Sequence, residues 1–203
     1  DRLDSAGFPV DRETRMVKIT PALLEAALAS LPRDLMLHSR SGPPLPRFRE
    51  APCFMGAGTP VNVFDLDSGE QRSATWRDVR QLVAIQDALP QVDIIRPTVT
   101  ATDLGPASDL VEIAELLRGT EKPVVHRTLA PERVDAAAAM IFAAAGGKES
   151  FQAHPNFATL YCPISPSYFT SENIRCMLRW AEYGIPVTLL SMAMGGASAP
   201  VSL

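Results

Sequence analysis

Cysteine is scarce in this chain: Cys53, Cys162 and Cys176 are three among 203 residues. An odd, sparse set excludes a disulfide framework, which a small secreted domain builds from more cysteines at closer spacing. It also excludes a structural zinc site, since no close Cys/His pairs accompany the three histidines. Reduced, buried thiols in a cytoplasmic protein are the expectation. Long apolar runs are missing too. None reaches the roughly 18 residues of a membrane span. Positive charge is in deficit, with 19 Lys+Arg against 23 Asp+Glu, hence 19 − 23 = −4. A pI near 5.4 argues against a nucleic-acid partner, because phosphate binding gathers Lys and Arg into a patch. Neither G-x-G-x-x-G after a first strand nor a Walker A sequence occurs, and H-E-x-x-H is absent. No credible Ser-His-Asp or Cys-His arrangement stands out. The chain opens Asp1-Arg2-Leu3-Asp4, without an initiator Met or the apolar stretch of a signal peptide. It is expected to be a fragment of a longer protein.

What is present is a globular composition, 46% hydrophobic and 21% charged, enough to bury a real core. Residues 1–74 read as an irregular N-terminal extension. Thr20-Pro21 has the form of an N-cap followed by proline at the first helical position. Leu23, Leu24, Ala27, Leu28 and Leu31 then recur at helical spacing until Pro32. Four prolines between Ser39 and Pro52 mark a loop. Val61–Leu66 and Glu70–Ser73, joined by Asp67-Ser68-Gly69, predict a β-hairpin.

Residues 75–203 are regular. Thr75-Trp76-Arg77-Asp78 resembles a capping box with Asp in place of Glu, and the helix behind it carries Val79, Leu82, Val83 and Leu89. Strands are predicted over Val92–Thr100, Val124–Arg127, Phe157–Ile164 and Val187–Met192. Their centres are about 30 residues apart, and one helix fills each gap, the first ending at a Gly119 C-cap and the second running from Pro131 to Gly146-Gly147. This is the rhythm of successive βα units in a parallel sheet, and apolar rather than alternating strands suit a sheet covered on both faces. Two architectures share it, a doubly wound sheet and a (βα)8 barrel of the TIM type. The absence of phosphate-binding signatures favours the barrel. Four strands in sequential order, with helices on one side only, would be about half of one.

Three stretches carry a more specific signal. They are Gly56-Ala57-Gly58-Thr59-Pro60-Val61-Asn62-Val63-Phe64-Asp65-Leu66 with Ser68-Gly69-Glu70-Gln71-Arg72, then Cys162-Pro163-Ile164-Ser165-Pro166, and Met192-Ala193-Met194-Gly195-Gly196-Ala197-Ser198-Ala199-Pro200-Val201. Together, from about Phe8 to Leu203, the chain resembles the trimethylamine methyltransferase superfamily, which includes glycine betaine methyltransferases. The resemblance implies a (βα)8 barrel that moves a methyl group from a methylated amine to the Co(I) of a corrinoid. That cobalamin-type cofactor is carried by a partner corrinoid protein, and no cofactor is bound directly. Members that use pyrrolysine place it beyond the C-terminal end of this chain, so both kinds of parent stay open. A homo-oligomer is expected at full length, with no membrane or nucleic acid among its partners.

Function in such a barrel gathers at strand C-termini. Asp103 is a candidate counter-charge for a cationic substrate, and Tyr168 a cation–π face. His126 next to Arg127 could bind a carboxylate, and Ser165 completes the candidate substrate set. Met194, Gly195 and Gly196 are candidates for the surface that meets the corrinoid, because glycine lets a flat group approach the backbone. Each has a plainer reading: a helix cap for Asp103, loop packing for Tyr168, a satisfied structural histidine, core methionine, a tight turn for the glycines. The catalytic residues themselves are expected outside these 203 residues. Two other functions fit the pattern: half of another barrel enzyme of lyase or aldolase type, and a non-catalytic half-barrel that docks a partner.

Overall fold

The computed structural model describes residues 2–32, 35–42, 44–45, 51–163, 168–191, 194–196 and 201. It divides into two compact units, Asp1–Leu35 and Met36–Leu203. The first holds α1 (Arg2–Ser5), the antiparallel pair β1 (Val10–Asp11) and β2 (Met16–Val17), and α2 (Pro21–Ser30). Thr20 caps α2 as its sequence predicts, its hydroxyl accepting from the Leu23 N–H at 3.4 Å. The apolar stripe behaves otherwise. No residue of α2 is buried, and Leu28 and Leu31 are each 57% exposed.

The second unit begins with the predicted hairpin, β3 (Asn62–Phe64) against β4 (Gln71–Ser73). Gly69 closes its turn at φ 72°, a left-handed conformation that glycine adopts without strain. Helix α3 (Trp76–Ala88) follows. The Asp78 carboxylate accepts from the Thr75 N–H and hydroxyl at 2.8 and 2.7 Å, so aspartate does serve in the capping box. Both terminal nitrogens of Arg72 also donate to Asp78, each at 2.8 Å, and tie the hairpin to the helix. The Arg72 guanidinium is the main reason Asp78 stays far below the usual carboxylate range.

Then come α4 (Ser108–Gly119), β5 (Val124–His126), α5 (Val134–Ala144), α6 (Lys148–Ala153), β6 (Phe157–Tyr161), α7 (Ser171–Glu182) and β7 (Val187–Leu189). Strands β5, β6 and β7 form a parallel sheet in sequential order, with Val124 opposite Phe157 and Thr159 opposite Val187. The result is a mixed α/β body built of consecutive βα units.

Three expectations need correction. The strand over Val92–Thr100 shrinks to parallel bridges at Ile94 and Ile95, one to Met55 and one to Val124. Pro97 removes a ladder donor. The buried Gln86 side chain of α3 takes both backbone groups of Arg96, donating to its carbonyl at 2.9 Å and accepting from its N–H at 3.4 Å. Gly119 lies inside α4 rather than capping it. A Cβ there would come 2.7 Å from Cγ1 of Val83, so the glycine allows α4 to pack closely on α3. The helix expected from Pro131 starts as a 3-10 turn, and Gly146-Gly147, both at positive φ, separates α5 from the unpredicted α6.

Alternation along the strands divides the core. Ile95, Val124, Phe157 and Tyr161 join a large cluster with Val83 of α3, Ile113 and Leu116 of α4, Ile141 of α5, Phe151 of α6 and Trp180 of α7. Ile94, Val125, Ala158 and Leu160 join a small one with Leu37, backed by Leu45, Cys53 and Cys162, and containing no helical residue. The helices therefore cover one face, and extended segments cover the other. One of these segments also pairs with the edge of the Ile94 stretch. The Phe54 carbonyl accepts from the N–H groups of Asp93 and Ile94 at 2.9 and 3.1 Å, and the Gly56 N–H donates to Ile94 at 3.3 Å.

Candidate functional site

Two residues beyond the small inner cluster, along the same strand faces, the side chains become polar. Arg96 follows Ile94, Arg127 follows Val125, and Cys162 follows Leu160. A period of two puts each pair on one face. Arg96, Arg127 and Leu160 do line one cleft, with Thr59 and Thr100 on its wall and Asp109, Glu112 and His126 at its back. The cleft is partly open, with a cavity volume of about 40 Å³.

The charges in this cleft are of two kinds. Those at the helix side are engaged. Glu112, 2% exposed, accepts from the Ala101 N–H at 2.8 Å, and its other oxygen lies 3.0 Å from Nε2 of His126. The imidazole nitrogen is off the line of a hydrogen bond, so this contact is an ion pair when His126 is protonated and little more than packing when it is not. Asp109 accepts from the Leu129 N–H at 3.1 Å and from Nε of Arg133 at 3.0 Å. The two arginines of the inner face have no such partners. Among the described residues, no carboxylate pairs with Arg96 or Arg127, and Nε of Arg96 is buried without a hydrogen bond. Burial, and then the neighbouring Arg127, hold the Arg96 guanidinium below its ordinary value.

Sequence reasoning finds part of this site. His126 and Arg127 both line the cleft, but consecutive residues of a strand face opposite ways. His126 turns to Glu112 and the helices, and the partner for Arg127 is Arg96. Arg96 and Glu112 went unrecognised. The first sat inside an apparent strand, and the second on a helix read for its apolar stripe. The signal that would have found Arg96 is the shared offset, each arginine two residues beyond an apolar inward position. Asp103 is exposed and accepts from the Trp76 N–H at 3.0 Å. It caps α3, the helix before its strand, rather than the one after it. Tyr168 is 58% exposed. Met194, Gly195 and Gly196 follow the C-terminal end of β7 and are exposed, Gly196 in a turn at φ 78°. Ser165 and Met192 lie outside the described residues.

All three cysteines are thiols rather than disulfides. Burial pushes the Cys176 and Cys53 thiols up, away from the reactive thiolate. Among the described residues no cluster of three or more His, Cys, Asp or Glu could hold a metal, and no helix is long and apolar enough to cross a membrane.

Comparison with known proteins adds a family. A family model described as trimethylamine methyltransferase matches residues 1–203. A trimethylamine methyltransferase MttB of Desulfitobacterium hafniense is 31% identical over 199 residues, covering 97% of this chain and 40% of its own length. One from Methanosarcina barkeri is 29% identical over 211 residues, with 97% and 41% covered. A glycine betaine methyltransferase of Desulfitobacterium hafniense is 23% identical over 199 residues, with 94% and 40% covered. The chain thus spans about two fifths of the length of these curated relatives.

Proposed function

The chain belongs to the trimethylamine methyltransferase family, and from that premise we propose that it forms part of an enzyme transferring a methyl group from a methylated amine to the Co(I) of a corrinoid. The observation that carries this reading is the match of the family along the whole chain. The corrinoid is the methyl acceptor and arrives on a separate partner protein. We propose further that the βα units are part of a (βα)8 barrel. Sequential parallel order and helices confined to one face support this. Residues 1–74 then form an extension and 75–203 the first half of the barrel, in a protein that is a homo-oligomer at full length and cytoplasmic.

In this reading the cleft is one wall of the substrate pocket. A methyl group moves in line, with the nucleophile opposite the breaking C–N bond. The wall must fix the direction of the amine, since a displacement of ~1 Å can cost on the order of 10²-fold in rate. Tyr168 offers an exposed ring to a methylated cation. Met194, Gly195 and Gly196 offer a low rim for a flat acceptor.

The test supplies full-length protein, corrinoid partner and amine, and follows loss of the Co(I) absorbance. Amine-dependent loss is expected, slowed by Tyr168→Leu and by Gly195→Val. No reaction with trimethylamine or glycine betaine would overturn the proposal.

A further inference from the structure

The other end of the strands holds a second cavity. It has a volume of about 320 Å³, and His38, Ser39, Arg40, Ser150, His154 and Asn156 line it. Asn156 directly precedes β6, and Thr120 and Glu121 lie just before β5. The cavity therefore sits at the N-terminal ends of the strands whose C-terminal ends form the cleft. Backbone bonds pin its wall. The His38 N–H donates to the Pro155 carbonyl and the Arg40 N–H to the Glu121 carbonyl, both at 2.8 Å, and the Asn156 carbonyl accepts from the Val124 N–H at 3.0 Å. His38 and His154, far apart in sequence, are brought to a ring separation of 5.1 Å. Gly42 keeps space beside Ser39, since a Cβ there would fall 2.4 Å from the Ser39 Oγ.

Donors dominate this cavity. Two hydroxyls, two imidazoles and a guanidinium line it, and among the described residues no carboxylate does. Arg40 spends one side-chain N–H on the Thr120 carbonyl, and a guanidinium has five. Burial, and then the neighbouring His154, hold His38 below its ordinary value, and an anion in the cavity would offset both. A metal fits less well, because a guanidinium beside the imidazoles repels a dication and no thiolate or carboxylate completes the set. One acceptor stands among the donors. Asn156 is 4% exposed, and its Oδ1 is buried without a hydrogen bond. An unmet buried acceptor is costly, and a ligand that brings an O–H relieves it.

We propose that this cavity binds inorganic phosphate, its anionic oxygens taken by Arg40, the two hydroxyls and the imidazoles, and its remaining O–H donated to Oδ1 of Asn156. Inorganic phosphate keeps at least one O–H at neutral pH. Sulfate keeps none, and a phosphate monoester is mostly without one. The site is apart from the cleft and goes beyond the methyl-transfer reading. A ligand held only by the folded state stabilises it, so phosphate acts here on stability.

The experiment titrates sodium phosphate, sodium sulfate and methyl phosphate into the full-length protein as its gene encodes it, at neutral pH in a buffer free of phosphate, and follows the heat. Phosphate should bind at least about tenfold tighter than the other two, the effect of one hydrogen bond to a charged ligand. Arg40→Gln and His154→Gln, both at exposed residues, should each weaken phosphate by about tenfold for the same reason. Asn156→Leu should erase the preference for phosphate over sulfate and leave sulfate binding unchanged. Melting curves check the fold, and the two exposed variants carry the test if Asn156→Leu does not fold. Saturating phosphate should raise the melting temperature of the wild type more than equal sulfate does. Equal binding of phosphate and sulfate, phosphate binding undiminished in both exposed variants, or heat from zinc chloride with none from phosphate would overturn the proposal. None of these outcomes bears on the methyltransferase reading, which methyl transfer tests separately.

Discussion

The two faces of the parallel sheet are built on different terms. The helix-covered face holds the large aromatic side chains and engages its charged groups. Trp180 Nε1 donates to the Tyr161 hydroxyl at 3.0 Å, and that hydroxyl donates to the Thr128 carbonyl at 2.8 Å, a buried relay from α7 through β6 to the segment after β5. Burial pushes the Tyr161 phenol well up, so it stays a donor at every ordinary pH. Asp109 and Asp78 each accept from several donors, and Glu112 accepts from the Ala101 N–H. The inner face has a five-residue cluster of aliphatic side chains and, beyond it, two guanidinium groups without a carboxylate partner among the described residues. Stability is invested on one side of the strands, and unspent binding capacity lies on the other.

The largest test of that contrast is Trp180→Ala, which empties the centre of the helix-side core and removes the donor to the Tyr161 hydroxyl. It should cost about 4 kcal/mol by chemical denaturation. A loss below about 2 kcal/mol would mean the core is not centred there. Next comes Asp78→Ala, expected to cost about 2–3 kcal/mol, since a buried carboxylate with charge-assisted bonds is removed and Arg72 loses its main partner. The pH dependence has a definite sign. A carboxylate lowered in the folded state contributes its full stability above its unfolded value near 3.8, and that contribution is lost as pH falls through the lower folded value. Wild-type stability should drop on acidification below about pH 4, more steeply than that of Asp78→Asn. Equal acid sensitivity would place the titrating groups elsewhere.

A smaller effect is expected from Gly56→Ala, which forces Gln86 off the backbone of Arg96. It should cost about 1–2 kcal/mol and weaken ligand binding at the cleft more than its stability loss explains. The smallest effect belongs to the inner face. Arg127→Gln should leave the unfolding free energy almost unchanged, within about 0.5 kcal/mol, or raise it slightly by relieving the repulsion with Arg96. A loss above about 1.5 kcal/mol would show that Arg127 is structural, and the contrast between the faces would fail.

Sequence periodicity revealed the order of the units because burial imposes it: Val79 and Val83, and Ile113 and Leu117, recur where a helix meets the core. Caps at Thr20 and Thr75 were legible for the local reason that a hydroxyl or carboxylate reaches a free N–H. The strand around Ile94 was not, because Gln86, ten residues before Arg96 in sequence, replaces its ladder. Nor was the exposure of Leu24 and Leu28, since a stripe states that a face is apolar and not that it is covered. At the site, Arg127 was visible at a strand end. Its pairing with Arg96 depended on register between neighbouring strands, which a single strand's residues do not encode.

The Phe54–Gly56 segment has one more consequence. It shuts one edge of the sheet, while β7 ends the other with Leu189 and Leu190 exposed and no strand beyond it among the described residues. Such a sheet is like a filament capped at one end, able to accept a new strand on a single side. In the barrel proposed above, that side belongs to the next βα unit of the longer protein, so the described residues leave a place for one further strand.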